Sequence, residues 1–180
     1  FKFSVELGSK LLLLGKKGSQ ASDQEFIDYI KQIENFNSQD DYDSWHHQTI
    51  LNMTSHTDEL KQLLDKHNKS FSNYTYGIAA KILNCYLKVF FLESFCNQKF
   101  ADFIHPPVDA ILLKALRKED KKLFNFKNSV FTNIGVQKIP TWTRINENEY
   151  KTIIKLMKEF VSSKNQNGLW KIESFWIGHQ

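Results

Sequence analysis

The sequence predicts a mostly α fold: one compact multi-helical domain spanning residues 1–180, with a short extended segment at its N-terminus. Three observations lead there. Apolar residues recur at helical spacing along most of the chain, whereas period-two alternation is confined to its first residues. At 180 residues the chain is long enough for one full core and short for two domains. It is 41% apolar, with 15 Phe, 6 Tyr and 4 Trp, and 24% charged, which argues against wholesale disorder.

The elements follow in order. Apolar residues at positions 1, 3, 5 and 7 fit a short strand or an extended segment lying on a core. After the loop "GKKGSQ", Ser22 and Glu25 form a capping-box pattern ahead of Phe26, Ile27, Ile30 and Ile33, predicting a helix. A second helix is expected over "DYDSWHHQTILNM". A third, over "TDELKQLLDKH", has Thr57 as cap and Asp58 and Glu59 in a first turn that favours negative charge. A long helix runs from about Gly77 to Phe91, and "FCNQKFADFI" reads as a short helix or turn. Pro106 and Pro107 are expected to open the helix "VDAILLKALRKE", since first-turn amides lack partners in any case. Residues 118–147 are the least regular, and two further helices are predicted over "NEYKTIIKLMKEFV" and "GLWKIESFWIG".

Composition narrows the function classes. Lys and Arg outnumber Asp and Glu by 24 to 20, a net charge of +4 that suits a nucleic-acid surface and an ordinary protein equally. Only Arg117 and Arg144 are arginines, so any nucleic-acid contact is expected with phosphates rather than bases. Cys85 and Cys96 are the only cysteines, too few for a zinc ribbon or an iron–sulfur signature. No disulfide framework is implied, and a cytoplasmic location is expected. No apolar run approaches the roughly 20 residues of a membrane helix. Neither a cofactor nor a transition metal is expected. Phe1 is not a natural start, so further chain is expected before it.

Lys81 is the first candidate site residue. With about 100 degrees of turn per residue, Ile78, Ile82, Cys85 and Val89 make one apolar stripe, read as the core face. Gly77, Lys81, Asn84 and Lys88 make a polar strip beside it. Two readings are open for Lys81. Its stem can lie on apolar surface while the amine reaches water, or the amine is partly desolvated, its pKa lowered, and nucleophilic toward an aldehyde-like carbon. Asp109 is its natural partner. It is either a first-turn acid favoured by the helix field or a carboxylate that steadies positive charge or accepts a proton.

The two segments resemble a degraded version of the helix-hairpin-helix DNA glycosylases, of the endonuclease III and 8-oxoguanine glycosylase type. In "TYGIAAK", Gly77 and Ala79 fall on the two glycines of the family's L-P-G-x-G-x-K hairpin, and Lys81 falls on its lysine. "ILNC" follows, with Asn84 at an acid position. In "PVDAILLK", Pro107, Val108 and Asp109 match the proline, valine and catalytic aspartate of the second motif, and Lys114 stands at its arginine. The resemblance covers residues 57–118. It implies hairpin amides that hold a phosphate of double-stranded DNA, a lysine nucleophile, and an aspartate that supports glycosidic cleavage of a flipped damaged base. It also implies strand cleavage at the abasic site. The sequence departs from the pattern at Ala79, where a Cβ crowds a close phosphate, at Tyr76 in place of proline, and at Ala110 and Ile111 in place of Thr-His. The 28 residues from Lys81 to Asp109 also require an insertion around "FCNQKFADF". A non-catalytic helical domain, binding a nucleic-acid backbone or another protein, is the alternative.

The remaining candidates are weaker. His105 flanks the helix start and is either structural or, under the resemblance, part of a base pocket. Trp142 and Arg144 follow a proline turn, where an aromatic can stack a base and Arg can pair with a phosphate, or both can anchor the loop. His46, His47, His56 and His67 lack chelating spacing and are expected at the surface or in loops. Trp170 and Trp176 are expected to close the core.

Overall fold

The computed structural model describes residues 28, 29, 31–65, 73–88, 101–126 and 139–176. The predicted N-terminal extended segment, the Ser22–Glu25 capping box, Cys96 and most of the proposed insertion lie outside them. The described residues are mostly helical and contain no strand. Five α-helices are described: α1 (Gln39–Ser55), α2 (Thr57–Asp65), α3 (Tyr76–Lys88), α4 (Ala110–Glu119) and α5 (Glu147–Ser163). Short 3-10 helices cover Gln32–Asn35, Trp142–Arg144 and Leu169–Phe175. No described helix is long and apolar enough to cross a membrane. By spatial clustering the chain divides into two compact units, Phe1–Tyr74 and Thr75–Gln180. The boundary between them falls inside the 57–118 range.

In the first unit α1 opens with a capping box. The Ser38 hydroxyl accepts the Asp41 amide at 3.1 Å, and the Asp41 carboxylate accepts the Ser38 amide at 3.1 Å. Tyr42, His46, Thr49, Ile50 and Met53 then form its buried stripe. His46 is thus a core residue, with its ring 5.5 Å from that of Tyr42, and not the surface histidine expected. Thr57 does not cap α2 as predicted. It is the first helical residue, and its hydroxyl donates backward to the Thr54 carbonyl.

The second unit holds every candidate site residue. Its core joins Leu83 and Leu87 of α3, Leu112, Leu113 and Leu116 of α4, and Ile153, Met157 and Phe160 of α5, all essentially inaccessible. Each such side chain is worth about 1.5–3 kcal/mol of burial. Phe124 meets Phe160 edge-on at 5.6 Å, and Phe160 meets Phe175 edge-on at 5.3 Å.

Three expectations change here. The core face of α3 is Ala79, Ala80, Leu83 and Leu87, while Ile78, Ile82 and Cys85 are only half-buried. Both sides of this helix are apolar, so periodicity alone cannot choose between them, and the smaller residues allow closer approach. The prolines do not start α4. They lie in a segment without regular structure, and the helix begins at Ala110 with Asp109 as its N-cap, φ −144° and ψ 174°. The C-terminal segment is a 3-10 helix rather than an α-helix. Residues three apart eclipse one another in that geometry. Leu169 and Ile172 are accordingly buried, and Trp170, Phe175 and Trp176 are half-buried.

Two glycines are required by position. A Cβ on Gly77 would stand 2.1 Å from the Trp142 carbonyl oxygen and 2.9 Å from the Ile145 Cβ. Gly168 has φ 86°, in the left-handed region, and presses on Asp102.

Candidate functional site

The polar strip of α3 is a contact face, with four successive residues engaging other segments. Gly77 lies under the Trp142–Ile145 turn, and its amide donates to the Ile145 carbonyl at 3.0 Å. Lys81, one turn on, donates from Nζ to Asp109 Oδ2 at 3.2 Å. The buried Asn84 donates from Nδ2 to the Pro106 carbonyl at 3.0 Å and to the Tyr150 hydroxyl at 2.9 Å. Lys88 pairs with Glu173, a residue to which the sequence assigned no role. A helical wheel assumes that polar residues face water; here each polar group is matched instead.

Asp109 divides its carboxylate between two tasks. Oδ1 accepts the Ile111 and Leu112 amides, both at 2.9 Å, and caps α4. Oδ2 is left for the Lys81 amine. The lysine side chain is 23% exposed and the aspartate 9%, so the pair is sheltered on the carboxylate side and open on the amine side. The Lys81 amine also lies 4.7 Å from the centroid of the Trp142 ring, within cation–π range. Lys81, Asp109 and Trp142 therefore converge from α3, the α4 cap and the turn before α5.

Beside them is a buried hydrogen-bonded cluster that the sequence named only in part. His105 Nδ1 is 3.2 Å from the Tyr150 hydroxyl, which also accepts from Asn84. The Tyr150 ring contacts those of Tyr76 at 5.4 Å and His105 at 6.0 Å. Tyr150 had no motif to betray it. Its neighbour Glu149 closes the α5 capping box with Asn146, accepting that residue's amide at 2.9 Å through Oε2. Asn three residues ahead of Glu is a readable signal. Glu149 is fully buried, and its other oxygen has no hydrogen-bond partner among the described residues.

The first turn of α3 differs from an open hairpin. The Gly77 amide meets the Ile145 carbonyl, the Ile78 amide meets the Thr75 hydroxyl at 3.2 Å, and the Ala79 amide meets the Thr75 carbonyl at 3.1 Å. A phosphate at Gly77 has to displace one of these bonds. Lys114 and Arg144 are exposed and make no ion pair with described residues, and neither joins the Lys81–Asp109 contact. Four residues after Lys81, burial raises the Cys85 thiol above the ordinary range, while the Lys81 and Lys88 ammoniums pull it down more weakly.

Compared with family models, curated proteins and solved structures, the chain matches none of them.

Proposed function

We propose that this chain acts on damaged DNA as a glycosylase with associated abasic-site lyase activity, using Lys81 as nucleophile and Asp109 as its electrostatic partner. The observation that carries the reading is the amine–carboxylate contact of 3.2 Å, open on the lysine side and flanked by an indole face. In this reading the Asp109 carboxylate takes a proton from the Lys81 ammonium, and the freed amine attacks C1′ of a flipped nucleotide. The glycosidic bond breaks as the new C–N bond forms, and the base leaves with the bonding pair and takes up the proton from Asp109. The restored carboxylate, held by the α4 amides, then lies against the positive charge of the amine–sugar adduct. Trp142 offers a face on which a base can stack. No cofactor is needed.

The engaged amides at Gly77, Ile78 and Ala79 favour a second reading, a non-catalytic helical module in which Lys81–Asp109 is only a structural ion pair. Borohydride trapping separates the two. Under the first reading wild-type protein forms a covalent adduct with duplex DNA holding an abasic site, and Lys81→Ala forms none. Absence of any wild-type adduct on that duplex and on common base lesions removes the catalytic reading.

A further inference from the structure

The chain's charge is unevenly placed. Between positions 114 and 122 stand five basic residues, Lys114, Arg117, Lys118, Lys121 and Lys122, against Glu119 and Asp120. That stretch carries a net +3 of the chain's +4. Leu112, Leu113 and Leu116 turn the opposite side of α4 into the core, so Lys114, Arg117 and Lys118 line its outer face, and Lys121 and Lys122 follow in the turn after it. Four of the five are exposed, and Arg117 is half-buried. None makes an ion pair with a described residue. Asp120 is occupied elsewhere, its Oδ1 accepting the Lys122 and Leu123 amides at 3.0 and 2.8 Å.

Lys114 and Lys118 are one turn apart, and such like-charged pairs cost a helix about 0.2–0.5 kcal/mol. The helix field offsets this for Arg117 and Lys118 in the last turn, not for Lys114 farther in. A row of uncompensated cations at helical spacing fits a polyanion. Lys114 and Lys118 lie about 6 Å apart along the helix axis, and their flexible stems let both amines reach phosphates of one strand. The same helix is capped at its N-terminus by Asp109.

We propose that Lys114 and Lys118 on the outer face of α4, with Lys121 in the turn that follows it, hold phosphates of one strand of duplex DNA and lead that strand to the Lys81–Asp109 pair. The inference rests on the reading of the chain as one that acts on DNA, and it assigns the strand's path. The contacts are to phosphates, so they confer affinity without sequence preference.

The test uses the full chain and a duplex carrying a tetrahydrofuran abasic-site analogue, with affinity measured from 50 to 200 mM salt. Lys114→Gln/Lys118→Gln/Lys121→Gln removes three phosphate contacts. The slope of log affinity against log salt should become shallower by about 2.7, so that this salt range costs wild type about 40-fold more affinity than the variant. Lys114→Arg/Lys118→Arg/Lys121→Arg should keep the wild-type slope. Lys151→Gln/Lys155→Gln/Lys164→Gln removes the same charge from α5 and the residue after it, and should leave the slope unchanged. Circular dichroism verifies that each variant is folded. The proposal is overturned if the α5 variant matches the α4 variant, if the α4 variant keeps the wild-type slope, or if wild type binds polyglutamate but no duplex. Salt-dependent binding to that duplex, without a borohydride adduct on a duplex holding a natural abasic site, removes the catalytic reading and leaves this surface standing. A trapped adduct whose yield and salt dependence ignore the α4 variant does the reverse.

Discussion

Replacing Asp109 in two ways separates its two tasks. Asn caps helices as well as Asp does, so Asp109→Asn retains the bonds to the Ile111 and Leu112 amides and loses only the charge facing Lys81. Asp109→Ala loses both. The cap is worth about 1 kcal/mol, within a range of about 0.5–2. The ion pair is neither fully exposed nor sealed, with the lysine 23% and the aspartate 9% accessible. Discounted for solvent on the lysine side, it is worth about 1 kcal/mol, above most surface pairs and below the 3–5 lost on breaking a buried one. Asp109→Asn is therefore expected to cost about 1 kcal/mol and Asp109→Ala about 2. At about 2–4 °C per kcal/mol for a chain of this size, the two differ by a few degrees in Tm. Urea denaturation at pH 7, followed by circular dichroism and Trp fluorescence, measures both. Lys81→Met keeps the apolar stem and removes the charge, and in that background Asp109→Asn should cost nearly nothing. Equal losses for Asn and Ala, or an Asn loss unchanged by Lys81→Met, refute the division of the carboxylate.

Three further outcomes are expected. Gly77→Ala gains about 0.5–1 kcal/mol of helix propensity, but its methyl meets the Trp142 carbonyl at 2.1 Å. A net loss of about 1–3 kcal/mol is expected in urea, and stabilisation refutes the close contact. Tyr150→Phe strips the hydroxyl shared by Asn84 and His105 and should cost about 1–3 kcal/mol in the same assay, whereas a neutral result says the cluster is idle. Because burial raises the Cys85 pKa, iodoacetamide should alkylate Cys85 at pH 8 more slowly than free cysteine, as read by peptide mass spectrometry. The folded chain holds that proton more tightly than the unfolded one. The resulting stability is complete below the unfolded thiol's pKa of about 8.5 and is lost as pH rises through the higher folded value. Lys81→Met should slow alkylation further, and a rate equal to that of free cysteine overturns the assignment.

Sequence reading found the two charges of the site but not their setting. Lys81 at the margin of an apolar helix and Asp109 near a helix start are visible from spacing. The α4 start was misplaced because two prolines suit a first turn; yet an acid directly before "AILL" also has the form of an N-cap, as the structure shows. The α3 core face was misread because Ile outranks Ala on any hydrophobic scale, whereas Ala79 and Ala80 are the residues buried and Ile78 and Ile82 only half so. The convergence of Trp142 on Lys81, and of Tyr150 on Asn84 and His105, depends on tertiary approach across many residues, which local spacing does not encode.

The bond from Asn84 to the Pro106 carbonyl joins the two segments that bear Lys81 and Asp109, three residues from each. Their separation is thus set by an uncharged, buried anchor and not by the attraction of the charges themselves. Added salt, which loosens pairs held together by charge alone, leaves such a spacing intact. Neutralising either member leaves the other aimed at the same point, so the geometry exists before any ligand arrives.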